Sequence, residues 1–390
     1  MLCIALCADA GQFSIHLMGD STMAEKDLSL GSPERGWGMM FQNFLDPSVK
    51  VVNYAHNGRS TKNFQTLGNW DEVKANLRAG DYVFIEFGHN DAKESDSTRF
   101  CAPYGEYQDN LRMFVSTIRE KGGKPVLLTP VARRWFTDEG VFKENSHTDY
   151  PSAMKAVAQE MDVPLLDITT RTEDWIRSAG DMATRPYFMH LEKGKYASHP
   201  QGLVDNTHTN ARGARKVTEI VCEEIAKTLP EIASHLVHYD IVVSTDGHGD
   251  YMSVQDAVNA APDYLHGTIT TIYIRKGTYR EMVTIPHNKF RVHLIGEDAD
   301  STLIIWDKSA NKMWPDRDSL KIGTSGSASM YIHSSYVTLE NLTVEHPMRE
   351  SAGEGQAVDL FFAKIDENSK KISSQMAKSL SRLTKLKKIE

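Results

Sequence analysis

From about residue 13 to about residue 230, short apolar runs alternate with stretches of helical spacing. That alternation constrains the fold more than any other feature of the chain, because it calls for a parallel sheet covered on both faces. The runs at 15–18, 51–55, 82–87, 126–129 and 164–168 suit buried strands. Between them, Trp37, Met40, Phe41, Phe44 and Leu45 follow a helical period, as do Leu111, Phe114, Val115 and Ile118, then Met154, Val157, Ala158 and Met161. A last helix carries Ala214, Val217, Val221 and Ile225, with Asn210 as its N-cap. Near residues 230–240 the grammar changes. Strands are expected at 241–244, 270–274, 283–285, 292–295, 303–306, 330–333 and 337–344, with one short helix at 253–260. Their spacing alone does not separate a sandwich from a solenoid. From Lys364 onward the chain gains Lys and Ser. Ile372, Met376, Leu380 and Leu383 fall near helical spacing, and Lys385, Lys387 and Lys388 make a basic end, read as a solvated tail. The expected organisation is therefore an α/β domain at 11–230, a linker at 231–239, a β-rich unit at 240–360 and a basic tail at 361–390.

A chain of 390 residues is long enough for two such domains. Its net charge of -8 argues against a nucleic-acid partner, and no apolar stretch reaches the roughly 20 residues of a membrane-spanning helix. Four cysteines, Cys3, Cys7, Cys101 and Cys222, do not make a disulfide scaffold; free buried thiols are expected, and pairing of Cys101 with Cys222 stays open. The apolar segment from Leu2 to Cys7, followed by Ala8-Asp9-Ala10, reads as the back half of a signal peptide, residues 1–10, and implies an exported protein.

The first of these regions carries the chemistry. Gly19-Asp20-Ser21-Thr22 directly follows the first strand, which puts Ser21 at the carboxyl edge of the sheet, where open α/β folds place their sites. A serine hydroxyl needs a base to take its proton. His208 is the candidate, with Asp205 three residues earlier to orient the imidazole and stabilise its charged form. The order Ser, Asp, His is that of α/β-hydrolases, but the Gly-x-Ser-x-Gly elbow is absent around Ser21. Attack on an ester carbonyl makes an oxyanion, for which the backbone N–H groups of Ser21 and Gly58 and the side-chain amide of Asn90 are candidate donors. Gly58 and Asn90 follow the second and third strands, so both are expected at the same edge as Ser21.

Gly19-Asp20-Ser21, Gly58, Gly88-His89-Asn90-Asp91 and Asp205-x-x-His208 together resemble the four blocks of the SGNH (GDSL-type) hydrolases, over roughly residues 13–230. The resemblance implies a flavodoxin-like three-layer fold. It also implies Ser21 as nucleophile, His208 as base, Asp205 as its partner, and Ser21, Gly58 and Asn90 as the oxyanion hole. Within that family, Gly58-Arg59-Ser60, Gly88-His89-Asn90-Asp91 and Asp205-Asn206-Thr207-His208 are most similar to rhamnogalacturonan acetylesterases, which act on pectin and need no cofactor. The implied substrate is an acetylated pectic polysaccharide. Arg59 and His89 are candidate substrate contacts, and Lys62, Arg133, Arg134, Lys193 and Lys195 add basic neighbours suited to uronate.

In the second region, the segment from Ile274 to Glu281 and Gly355-Gln356-Ala357-Val358 resemble the start of pectin methylesterases, over about residues 239–360. That resemblance implies a right-handed parallel β-helix, here incomplete, and makes Gln356 the counterpart of an oxyanion-stabilising glutamine. The family's Gln-Asp-Thr, Asp-Phe-Ile-Phe-Gly and Gly-Arg-Pro-Trp segments are absent. Gln356 alone supplies neither acid nor nucleophile, so this part is expected to be inactive, and an incomplete solenoid leaves an open edge that the Lys-rich tail could cover. There is no His-Glu-x-x-His, Cys-x-x-Cys or phosphate-loop motif, so neither metal nor cofactor is expected. Two rival readings remain: another SGNH acyl-ester hydrolase of lipase or thioesterase type, and a non-catalytic pectin-binding protein.

Overall fold

The computed structural model describes residues 13–308, 312–314, 317–323, 326–346, 356–360 and 384–389. The expected signal remnant with Cys3 and Cys7, and the helical spacing from Ile372 to Leu383, lie outside the described residues. The chain divides into two units between Val237 and His238. Residues 231–237, expected in a linker, are part of the first: Ile232 is fully buried in its core, and the Val237 N–H donates to the Phe44 carbonyl.

Five strands form the sheet of the first unit: β1 (Ser14–Gly19), β2 (Lys50–Asn53), β3 (Tyr82–Glu86), β4 (Lys124–Leu128) and β5 (Leu165–Leu166). All pair in parallel, in the spatial order β2-β1-β3-β4-β5. This is the flavodoxin-like order, whose ligand crevice opens at the carboxyl ends of the first and third strands, where the chain direction of the winding switches. The two-residue period of the strands sorts the core into two layers. Ile15, Leu17 and Phe84 join Phe41, Val217, Val221 and Ile225 on one face. Met18, Val83 and Ile85 join Phe64, Leu111, Phe114, Ile118, Met154 and Val157 on the other. The covering helices include Trp37–Phe41 and Ala211–Thr228 on the first face and Thr61–Thr66, Gln108–Glu120 and Tyr150–Met161 on the second. Asn210 caps the Ala211–Thr228 helix as expected, its Oδ1 accepting from the Gly213 N–H at 3.2 Å. A small antiparallel sheet, absent from the sequence reading, joins Glu34–Arg35, Phe188–Leu191 and Leu203–Asn210.

The second unit is built from parallel strand pairs. One path runs Gly277–Tyr279, Thr302–Ile305, Thr338–Glu345, Val292–Gly296, Thr270–Ile274 and Ile241–Val243; another runs Val283–Ile285, Ala328–Ile332 and Gln356–Leu360. Parallel pairing excludes the antiparallel sandwich that strand spacing had left open. Side chains from both paths, including Ile272, Leu294, Ile304, Val283, Met330 and Leu342, share one core with Val254 and Val258 of the helix Val254–Ala260, whose N-cap is Ser253. The tail is not uniformly a solvated extension. Its Thr384–Ile389 segment pairs antiparallel with Thr338–Glu345, because that strand otherwise presents an open row of backbone donors and acceptors.

Candidate active site

Ser21 leaves β1 on a tight turn in which the N–H groups of Met23 and Ala24 donate to the Asp20 carbonyl. Gly19 is required just before it, since a Cβ there would stand 2.8 Å from the Glu86 carbonyl oxygen. His208 and Asp205 come from the strand Leu203–Asn210. Phe188 pairs with Thr209 while the next residue, Met189, pairs with Asp205, so Asn206, Thr207 and His208 bulge out of the ladder. The bulge closes on itself: Asp205 Oδ1 accepts from the N–H groups of Thr207 (2.7 Å) and His208 (3.1 Å). Asp205 Oδ2 meets His208 Nδ1 at 2.7 Å, and His208 Nε2 meets Ser21 Oγ at 2.9 Å. The sequence had placed Asp205 and His208 on one face of a turn, and the turn is this bulge inside a strand. Burial would raise the Asp205 carboxyl, but the hydrogen bond to His208, the charge of His208 and the two N–H donors outweigh it and hold it at about 2.

The expected oxyanion donors stand at the same edge. Gly58 has φ of +75°, a left-handed backbone conformation suited to glycine. Its carbonyl accepts from Asn63 Nδ2 at 3.1 Å, and neither its N–H nor that of Ser21 donates to a protein acceptor among the described residues. Asn90 Nδ2 donates to the Arg59 carbonyl at 2.8 Å, which fixes the amide and leaves its second N–H to be aimed elsewhere. Two features the sequence reading did not use brace this edge. Ser60 and Asn63 form a capping box at the start of Thr61–Thr66, a signal legible in their spacing. Asp91 Oδ1 takes both the N–H (2.9 Å) and the hydroxyl (2.6 Å) of Thr61, tying the loop after β3 to the loop after β2. Burial nevertheless pushes the Asp91 carboxyl up to about 7.

Next to Ser21, a buried acidic pair, Asp20 and Glu86, meets at Thr22. Thr22 Oγ is 3.0 Å from Asp20 Oδ1 and 2.9 Å from Glu86 Oε1. A hydroxyl carries one proton, so it can serve only one of these contacts, and the other requires a proton on a carboxyl. Burial and the charge of Asp20 accordingly push Glu86 up to about 8, against the donors Trp37 Nε1 (2.6 Å), Val131 N–H and Thr22. Asp20, Glu86 and His89 each offer one donor atom within 4.8 Å of the others, a set able to hold a cation that no linear motif announced. A shared proton fits the Thr22 geometry without one.

The basic residues sort differently from their sequence reading. His89 is 4% exposed, with its ring edge-on to His147 at 4.3 Å, and burial holds it well below the usual histidine range. A neutral, buried imidazole is out of reach of a polysaccharide, which corrects its reading as a substrate contact. Arg134 is buried as well, bonded to Asp181, Thr184 and Asn206. With His190, whose Nε2 is 2.7 Å from Asn206 Oδ1, it clamps the bulge that carries Asp205 and His208. Lys62 pairs with Glu106 and donates to the Phe100 carbonyl. Lys193 and Lys195 are exposed around a turn at Gly194. Arg59 lies half-buried beside Gly58, its Nε donating to Asn69 Oδ1 at 2.7 Å. Gln356 opens the strand Gln356–Leu360, its backbone opposite Ala328. Cys101 and Cys222 are both free thiols, and burial pushes Cys101 up to about 12.

Residues 17–216 match the family model described as GDSL-like Lipase/Acylhydrolase family, and residues 240–361 match the one described as Pectinesterase. The chain is similar to the rhamnogalacturonan acetylesterase RhgT of Bacillus subtilis (strain 168), 35% identical over 223 residues, which covers 57% of this chain and 94% of that protein. It is also similar to the probable rhamnogalacturonan acetylesterase YesY of the same organism, 33% identical over 211 residues, 54% of this chain and 91% of the relative. Pectinesterase 31 of Arabidopsis thaliana is 34% identical over 119 residues, 30% of this chain. The chain spans only 37% of that protein's length.

Proposed function

The chain belongs to the GDSL-like lipase/acylhydrolase family, and from that premise we propose that it is a serine carbohydrate esterase removing acetyl groups from pectic polysaccharide of the rhamnogalacturonan type. The observation that carries this reading is the continuous relay from Asp205 through His208 to Ser21, with contacts of 2.7 and 2.9 Å. In the first half of the cycle Ser21 Oγ attacks the acetyl carbonyl carbon while its proton passes to His208 Nε2. The oxygen of the tetrahedral intermediate collects negative charge and is met by the N–H groups of Ser21 and Gly58 and the free N–H of Asn90, each such donor worth about a hundredfold or more in rate. The intermediate collapses, the C–O bond to the sugar breaks, and the sugar oxygen leaves with the proton held by His208. Water then attacks the acetyl-serine, His208 takes its proton, and acetate departs as that proton returns to Ser21 Oγ.

The second unit, on this reading, is a stretch of right-handed β-helix that carries Gln356 and contributes no methylesterase chemistry of its own from residues 240–360, where that family's acid and nucleophile segments have no counterpart. Export of the protein fits both a polysaccharide substrate and the apolar residues at 1–10. No helix among the described residues is long and apolar enough to cross a membrane. The deciding measurement is acetate release from acetylated rhamnogalacturonan, compared with release of long-chain acids from their esters. The parent should act on the first and Ser21→Ala should lose that activity by about three powers of ten or more, with an unchanged melting temperature. Activity of Ser21→Ala within tenfold of the parent would remove the serine mechanism, and a preference for long-chain esters would move the substrate to lipids.

A further inference from the structure

A cation that the sequence did not single out, Arg99, stands against the expected oxyanion hole. A Cβ built on Gly58 would lie 3.5–3.6 Å from Nη1, Cζ and Nη2 of Arg99, so the guanidinium packs directly against the glycine whose N–H is an expected oxyanion donor. Arg99 is held from behind. Its Nε pairs with Asp96 Oδ2 at 3.0 Å, and Asp96 is itself the first residue of a tight turn that accepts the Arg99 N–H at 3.0 Å and the Phe100 N–H at 2.8 Å. With Nε engaged, the two terminal nitrogens form an open fork on a side chain about one-third exposed. Such a fork matches a carboxylate, with which it can form two parallel bonds.

Arg99 is not isolated. Lys93 is held below the usual lysine range by burial and by the charges of Arg99 and Arg133, and Arg59 by burial and by Arg99. The Arg133 Nε is buried without a partner. The nearby acids offset this group only in part, since Lys93 still feels Asp20 and Asp96. Asp96 is committed to Arg99, and Asp20 and Glu86 share a proton next to Ser21. Arg99 repels both Arg59 and Lys93, and Lys93 also feels Arg133; cations crowded in this way, with one ion pair among them, favour an anion.

We propose that Arg99, supported by Lys93 and Arg133, is the subsite for the carboxylate of a uronate sugar in the chain being deacetylated. This rests on the esterase reading above and narrows it, since it makes free carboxylates on the substrate part of recognition. Arg99 is a specificity-determining residue rather than a group that touches the reacting atoms.

The test uses the full chain and one acetylated rhamnogalacturonan oligosaccharide in two forms, with free carboxylates and with the carboxylates methyl-esterified. The parent should prefer the free-acid form by about tenfold or more in kcat/KM, most of it in KM, the range of a hydrogen bond to a charged group. Added salt should shrink that preference. Arg99→Gln should abolish the preference, and Arg99→Lys, which keeps the charge but loses the fork, should retain part of it. A parent that treats both forms alike overturns the proposal without any variant. So does an Arg99→Gln protein that keeps the parent's ratio, or one whose kcat falls equally on both forms. Failure of the esterase reading shows separately, as acetate release that does not depend on Ser21.

Discussion

A carboxyl held at about 2 is ionised throughout the range in which an esterase of this kind works, so Asp205 presents a constant negative charge to His208 Nδ1. That charge has two consequences. It keeps the proton of the neutral imidazole on Nδ1, leaving Nε2 to face Ser21 Oγ, and it stabilises the imidazolium that forms when Ser21 is deprotonated. Asp205→Asn keeps the shape and removes both effects, since an amide can donate to Nδ1 and turn the wrong tautomer toward the serine. The expected outcome is a fall of about three to four powers of ten in kcat with little change in KM, measured on a soluble acetyl ester. A kcat within tenfold of the parent would detach Asp205 from the relay. Both residues were legible in the sequence by type and order, and the structure brings them together with Ser21. His89 was misread because burial is not a property of a tetrapeptide: its neighbour across the ring contact, His147, lies 58 residues away in the chain.

The ends of β1 and β3 bring Asp20 and Glu86 together at the Thr22 hydroxyl, and two carboxyls so placed cannot both ionise cheaply. The sign of the pH effect follows from the direction of the shift. A carboxyl raised from 4.5 to about 8 contributes stability that is fully present below 4.5 and is lost as the pH rises through about 8. Asp91, raised from 3.8 to about 7, acts in the same direction. The melting temperature of the parent should therefore decline between about pH 5 and pH 9. Glu86→Gln should start lower, because its amide has a single acceptor oxygen where Glu86 takes Trp37 on one oxygen and Val131 on the other, and should decline less steeply, so that the two curves converge. Parallel curves would mean that Glu86 does not titrate in this range. The sequence showed these strands as apolar runs and located their ends, but not the pairing that sets Glu86 against Thr22, which is a matter of which strand lies beside which.

Two units with separate cores carry two different family signatures, and the proposed chemistry lies in the first. On a pectin that is both acetylated and methylated, the protein should release acetate and no methanol. Headspace analysis of methanol alongside an acetate assay checks this directly. Methanol release that survives Ser21→Ala and disappears in Gln356→Ala would place a second active centre in the strand-rich unit.

Local pattern was enough to specify the parallel sheet, the strand-rich second half and the four motif blocks, because a two-residue or 3.6-residue period and a short polar motif are properties of neighbouring residues. Three things waited for the tertiary structure. Strand order put Ser21, Gly58 and Asn90 at one crevice, and order depends on pairings between segments tens of residues apart. The bulge at residues 206–208 turned Asp205 and His208 toward Ser21 across 187 residues of chain, held there by Arg134 and His190. Among the basic side chains, burial and partners decided which are structural and which stay open to a ligand. That is why Arg134 and Lys62 leave the substrate-facing set and Arg99, inconspicuous in sequence, enters it.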